Sequence, residues 1–197
     1  MNSRNRLWVA TTKDIGIYDE NSNEWLAYVK YKKPYGEVTY IVEDAEGVMW
    51  FGTEYGVFEA EVSLDIPIKV NLKGGFEKEV GLTANKVLSM HVTNTNQILV
   101  SYQDKIVRME KGKIINHIVL QEDIPYGHIT CMIDDRNGNT WLGSNESVIS
   151  IHNKTNMYFA FPFSGNEPTV CRLNDNRLLW ANMPDVVFFD PIQMKDL

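Results

Sequence analysis

Apolar and polar residues alternate along this chain in short runs, each closed by a cluster of Gly, Asp, Asn or Ser. A period of two over such a length is the pattern of a half-buried β-strand, and no segment of any length carries the 3.6-residue period of a helix. Two stretches are near copies. Thr39 to Glu43, the turn Asp44-Ala45-Glu46-Gly47, and Met49 to Thr53 are matched by Thr130 to Ile133, the turn Asp135-Arg136-Asn137-Gly138-Asn139, and Trp141 to Gly143. An Asp opening the turn and a Gly near its end predict a tight hairpin with the Gly at its positive-φ position.

The same phrase recurs with Trp8, Trp50, Leu99, Trp141 and Trp180 in equivalent places, at spacings of 42, 49, 42 and 39 residues. A repeat of about 40 residues built from short strands predicts propeller blades. In the second repeat the four strands are Thr39 to Glu43, Met49 to Thr53, Gly56 to Ala60 and a last one near Ile68 to Leu72. The fourth adds Val148 to His152 and Tyr158 to Phe161, and the fifth holds Val170 to Leu173, Leu178 to Ala181 and Val186 to Asp190. The third is degenerate, with Thr93-Asn94-Thr95-Asn96 in place of the turn and Leu99-Val100-Ser101 in place of the Trp phrase. The approximate repeats are 1–37, 38–86, 87–128, 129–167 and 168–197. The first opens directly at Leu7-Trp8-Val9-Ala10, and the outer repeats offer three strands each. The expected fold is therefore an all-β propeller. It holds four to five blades' worth of four-stranded antiparallel sheets, an arc of a larger propeller. The Trp rings are expected to fill the wedges between blades.

Composition narrows the partners. Of 197 residues 44% are hydrophobic and 23% charged, an ordinary globular balance with ample material for a core. The net charge of −7 and the scattered Lys and Arg argue against nucleic acid, whose phosphates need a basic stripe. No apolar run approaches the roughly 18 residues of a membrane span, and Met1 to Leu7 lacks the apolar core of a secretory signal. The chain is then either cytoplasmic or a piece of a longer exported protein. Cys131 and Cys171, aligned on Trp141 and Trp180, are expected at the same point of two splayed inner strands. That is too far apart for a bridge, so both are read as small buried hydrophobes.

The phrase Ile41-Val42-Glu43-Asp44-Ala45-Glu46-Gly47-Val48-Met49-Trp50-Phe51-Gly52-Thr53-Glu54-Tyr55-Gly56-Val57 resembles the two-component regulator propeller repeat. Leu82-Thr83-Ala84-Asn85-Lys86-Val87-Leu88-Ser89-Met90 is similar to the lead-in of that repeat, and Gly16-Ile17-Tyr18-Asp19 to its third strand. Such repeats build the periplasmic sensor regions of hybrid two-component systems. The resemblance implies a non-catalytic segment that senses an oligosaccharide or other small polar ligand. It also implies a membrane-anchored parent whose histidine kinase lies outside this chain. The expected partners are that ligand, the remaining blades of the parent sensor and, in one alternative, a second copy forming a homodimer; no cofactor or metal is expected.

In a propeller of this strand order, the loops joining second to third strands and those leading into each blade share one rim. Pro34-Tyr35-Gly36 recurs there as Pro125-Tyr126-Gly127, placing a Tyr ring at each loop tip for stacking on a sugar face. Tyr35, Tyr55, Tyr126, His128 and Asn145 are the candidate ligand-binding residues. Lys13, Asp14, Glu54, Tyr102, Asp104, Glu146 and Asp185 are further residues of that rim, and Lys73 to Gly81 reads as a long loop with Phe76 at its tip. Asp135, Asn137 and Asn139 have the spacing of calcium ligands, but Thr140 stands where the required Gly would be and a strand follows. His91, His117, His128 and His152 fall at non-equivalent places, so catalysis has little support. Two alternatives remain: a protein-interaction scaffold, and a metal-dependent propeller lyase using His128.

Overall fold

The computed structural model describes residues 6–30, 36–63, 69–74, 86–119, 128–144, 147–152, 158–162, 166–172, 177–183 and 185–189. Among these every element is a strand, and no helix is long and apolar enough to cross a membrane. Five antiparallel sheets follow one another along the chain. The first holds β1 (Arg6–Ala10), β2 (Asp14–Asp19) and β3 (Glu24–Lys30). The second holds β4 (Val38–Glu43), β5 (Met49–Thr53), β6 (Gly56–Ser63) and β7 (Lys69–Gly74). In the third are β8 (Ser89–Val92), β9 (Ile98–Ser101), β10 (Lys105–Glu110) and β11 (Lys113–Val119). The fourth has β12 (Ile129–Asp134), β13 (Asn139–Ser144), β14 (Ser147–His152) and β15 (Tyr158–Pro162). The fifth has β16 (Asn166–Arg172), β17 (Leu178–Met183) and β18 (Asp185–Phe189). Strands pair in chain order within each sheet, and the inner strands β4, β8, β12 and β16 adjoin one another in series. These are the blades of a propeller arc.

Because β5 is buried over its whole length, alternate side chains serve two neighbours. Phe51 and Met49 pack with Ile15 of the first blade, against Trp8 and Ala10. Trp50 turns the other way, into a cluster with Val87, Met90, Ile98, Val100 and Met109 of the third blade. The pattern repeats one blade on, where Leu99 and Ile106 meet Ile129, Leu142, Ile149 and Ile151 of the fourth. The core is thus a series of wedges between blades, with Trp50 and Trp141 each 2% exposed. The Trp180 side chain lies outside the described residues.

The phrase Trp-Phe-Gly-Thr has a physical reason at each position. A Cβ on Gly52 would come within 2.6 Å of Val87 Cγ1 and 2.7 Å of Met90 Sδ, so the next blade approaches only because that position lacks a side chain. Thr53 is buried, and its hydroxyl donates to the Gly56 carbonyl (3.0 Å) while accepting the Tyr55 amide (3.1 Å). Ser144 Oγ likewise takes the Ser147 amide (2.8 Å), and Thr11 Oγ1 the Asp14 amide (3.0 Å). A hydroxyl therefore closes the two-residue turn between second and third strands in three blades.

At the opposite rim the turn aspartates close the other hairpins. Asp44 Oδ1 accepts the Val48 amide (2.8 Å) and Oδ2 the Trp50 indole N–H (2.9 Å). Asp135 Oδ1 accepts the amides of Asn137 (2.7 Å) and Asn139 (3.0 Å), and Oδ2 the Trp141 indole N–H (2.9 Å) and Asn139 Nδ2 (2.8 Å). The carboxylate that mimicked a calcium ligand is engaged by four N–H groups of its own hairpin. Gly47 (φ +81°) and Gly138 (φ +90°) hold the positive-φ positions expected of them, and Asn96 (φ +58°) serves in the degenerate third turn.

Two expectations are corrected. Lys73 and Gly74 belong to β7 rather than to a loop, while Phe76 and the rest of that stretch lie outside the described residues. The two cysteines are not equivalent: Cys131 pairs with Gly143, two residues after Trp141, whereas Cys171 pairs with Leu179, one before Trp180. Pairing is regular between each Cys and its Trp, and the offset arises because Trp141 stands one residue past the turn-side pair residue Thr140 whereas Trp180 stands two past Leu178. Cys131 is half-buried, its Sγ 4.0 Å from the Gly143 carbonyl.

Replacing Gly138 by Val should cost about 1–3 kcal/mol from backbone strain, since the space around it is open, the nearest atom to an added Cβ being Asn94 Nδ2 at 3.7 Å. Gly52→Ala should cost about the same by overpacking instead. Thermal unfolding measures both, and an unchanged Tm in either variant contradicts the corresponding account. Asp135→Ala strands the N–H groups of Asn137, Asn139 and Trp141 and should cost about 2–4 kcal/mol by the same measurement.

Candidate functional site

The rim bearing the hydroxyl-closed turns is stitched by the segments leading into each blade. Gly36 (φ +68°) rests on the turn of the second blade, where an added Cβ would lie 2.8 Å from both Glu54 Cβ and Tyr55 Cδ2. Here only Gly fits, for space and for backbone together. The Glu54 amide donates to the Glu37 carbonyl (3.1 Å), and Glu54 Oε2 accepts the Glu37 amide (3.3 Å). Val87, leading into the third blade, donates its amide to the Thr53 carbonyl (2.9 Å). His128, leading into the fourth, places Nδ1 3.3 Å from the Gln103 carbonyl on the turn of the third.

Inner strands β4 and β12 both break register at this rim, with Thr39 and Thr130 as the extra residues. Bulges re-aim side chains next to sites, and both threonines are exposed. Thr39 Oγ1 donates to the Val87 carbonyl (3.0 Å). Tyr40, following the first bulge, carries its hydroxyl to the Thr130 carbonyl (2.9 Å), tying the second blade to the fourth past the third. Sequence reasoning missed Thr39, Tyr40 and Thr130 as parts of this rim. The signal was present, because Thr39 and Thr130 sit at the same place in the repeated Pro-Tyr-Gly segments.

Of the five candidate ligand residues, Tyr55 and His128 are described, and both are exposed, Tyr55 by 56%. The ring of Tyr55 is just over half exposed, with Cδ2 beside Gly36 and its backbone clamped by Thr53, an arrangement suited to stacking on an apolar face of a sugar ring. Tyr35, Tyr126 and Asn145 lie outside the described residues, as does Glu146. Tyr102 is corrected: it is 2% exposed and belongs to the core between the second and third blades. Its place corresponds to Thr53 and Ser144, which are also fully buried. Lys13 is exposed, and Asp14 and Asp104 are half-buried. Among the described residues no group of three or more His, Cys, Asp or Glu is placed to hold a metal ion.

The opposite rim carries the strongest electrostatics. Asp134 on β12 lies 2.9 Å from His91 Nε2 on β8, accepts from Thr140 Oγ1 (2.5 Å) and takes the Asn94 amide. Burial alone would raise its pKa; the hydrogen bonds from His91 and Thr140, the His91 charge and the Asn94 amide hold it below the usual carboxylate value. Arg108, buried beside Leu99, has its pKa lowered by desolvation, an effect opposed by the charge of Asp134. Its Nη1 donates to Gln97 Oε1 (2.7 Å). Nearby, Asn96 crosses to the second blade, accepting the Ala45 amide (2.7 Å) and donating to Glu46 (2.8 Å).

Five antiparallel sheets in series, with the inner strands β4, β8, β12 and β16 side by side, define a β-propeller segment. Residues 32–55 and 123–146, which run from the lead-in to the Trp hairpin of the second and fourth blades, match the family model described as two component regulator propeller. No curated protein matches the chain. Among solved structures, the extracellular domain of a putative hybrid two component system of B. thetaiotaomicron superposes with a TM-score of 0.77 at 18% identity, over 100% of this chain and 28% of that one. A second extracellular domain of that organism, from a putative one component system, gives 0.75 at 16% identity over 98% and 26%. Virginiamycin B lyase from Staphylococcus aureus gives 0.71 at 12% identity over 96% and 68%. At these identities the likeness is one of fold. The chain spans about a quarter of the length of the two extracellular domains.

The depressed pKa of Asp134 has a testable sign. Its contribution to stability is fully present above the ordinary carboxylate pKa of about 4 and is lost as pH falls through its lower folded value. Asp134→Asn should therefore be less stable than the native chain at neutral pH and lose less stability on acidification below about pH 4. Urea unfolding across pH 2–7 checks this, and parallel profiles for the two proteins contradict it.

Proposed function

We propose that this chain is part of the periplasmic sensor region of a two-component system, and that it recognises an oligosaccharide or another small polar ligand without transforming it. The observation that carries this reading is the extent of the two family segments. Each runs from the lead-in of a blade to its hydroxyl-closed turn, and all five candidate residues, Tyr35, Tyr55, Tyr126, His128 and Asn145, fall inside them. The two extracellular domains of similar fold support the placement outside the cytoplasm. The remaining blades of a membrane-anchored parent complete the propeller in this reading, and its kinase lies elsewhere in that parent.

The exposed Tyr55 ring supplies stacking, and His128 a polar group near the neighbouring turn. Isothermal titration against malto-, xylo- and manno-oligosaccharides tests the proposal. Tyr55→Ala should weaken binding by about 5–10-fold, equivalent to roughly 1–1.4 kcal/mol, with Tm unchanged because the ring is exposed. His128→Ala should weaken it by a smaller factor. If no oligosaccharide of the panel binds, or if Tyr55→Ala binds as the native chain does, the ligand reading fails and the scaffold alternative gains.

A further inference from the structure

The first blade differs from its fellows in one respect that their shared register exposes. In the second, third and fourth blades, the side of the sheet facing the preceding blade is buried at every equivalent position: Phe51, Val100 and Leu142 on the second strand, Ala60, Met109 and Ile151 on the third. The corresponding residues of the first blade are Val9 and Tyr18, both only half-buried, and Leu7 beside them is exposed. On β3 the same side carries Trp25 and Tyr28, exposed by 45% and 64%. Trp25 lies edge-on to Tyr18 (centroids 5.3 Å apart) and stacks on Tyr28 (4.9 Å). Gly16 makes this arrangement fit, since a Cβ there would meet Trp25 Cζ3 at 2.6 Å. The result is a contiguous apolar and aromatic face, of the kind that is covered in each of the three following interfaces.

A second observation comes from the other side of the same sheet. Trp8 is the equivalent of Trp50 and Trp141, whose indole N–H groups each meet a turn aspartate. Among the described residues Trp8 Nε1 is buried and has no hydrogen-bond partner, and β1 is paired on one edge, with β2. A buried N–H without an acceptor is costly, and in the second and fourth blades the acceptor comes from the hairpin joining the inner strand to the Trp strand.

We propose that the first blade is an interior blade of a longer propeller. A sheet of the same polypeptide covers Leu7, Val9, Tyr18, Trp25 and Tyr28, and an inner strand pairs with the free edge of β1, bringing an Asp or Asn side chain to Trp8 Nε1. This rests on the reading of the chain as part of a larger sensor and is independent of what that sensor binds. The three interfaces already present supply the template, because the same register positions meet the preceding blade each time.

Hydroxyl-radical footprinting of the longer natural polypeptide, with peptide-level mass spectrometry, tests it. Tyr55 is the internal reference, since this chain exposes it between Trp25 and Tyr28. Trp25 and Tyr28 should be labelled several-fold less than Tyr55 in the longer polypeptide, and comparably to it in this chain alone. Labelling of all three at similar rates in both, or a natural polypeptide that adds no residues ahead of Met1, overturns the proposal. Protection of Trp25 and Tyr28 that grows with concentration in this chain alone assigns the face to a second copy and overturns it too. Failure of oligosaccharides to bind leaves these rates unchanged, so the two readings fail separately.

Discussion

The bond from a turn carboxylate to a buried indole is the constraint on which the blades depend. Asp44 and Asp135 each hold a strand-closing amide with one oxygen and the Trp ring with the other. One side chain thereby couples the hairpin to the ring that fills the wedge toward the next blade. The Trp must be large enough to span that wedge, and a large indole brings a polar N–H that burial forces to find a partner. Where a charged acceptor meets several N–H groups at once, its own desolvation is offset as well.

The third blade demonstrates the dependence by changing both halves together. Leu99 replaces the Trp and has no N–H, and Thr93 replaces the aspartate, its hydroxyl accepting the Gln97 amide (3.1 Å) and nothing from the second strand. Arg108 stands opposite Leu99, where Trp50 has Glu59 and Trp141 has Ser150. Burying that guanidinium requires polar partners, which Gln97 and the nearby charge of Asp134 provide. An acid accompanies an indole, a hydroxyl accompanies a leucine, and the polarity of the wedge follows.

Much of this was legible beforehand because hairpin chemistry is local. The strand pattern, the positive φ of Gly47 and Gly138 and the burial of Trp50 and Trp141 follow from turn type and alternation alone. What escaped depends on contacts between distant positions. Gly52 reads as an ordinary small residue until Val87 and Met90 are brought against it, and the Tyr40 bond to Thr130 spans 90 residues. Tyr102 was placed on the rim because loop-edge tyrosines look alike in sequence; its alignment with buried Thr53 and Ser144 would have moved it inward. The candidate site was the least legible part, since any exposed hairpin tip offers the same polar and aromatic residues.

The two rims divide the work unequally, and the division explains where recognition can evolve. At the aspartate rim the loop side chains are themselves the fastening: Asp44, Asn96, Asp134 and Asp135 each answer to backbone or ring donors. Changing any of them strands a partner. At the other rim the fastening lies one residue inside the strand, in the hydroxyls of Thr11, Thr53 and Ser144. A position such as Tyr55 then inherits a fixed backbone without a structural duty for its ring. Such positions tolerate substitution at little cost to the fold, and their side chains are held in place well enough to select a ligand. A propeller assembled from these blades can keep one rim constant and vary the other, blade by blade, around a common axis.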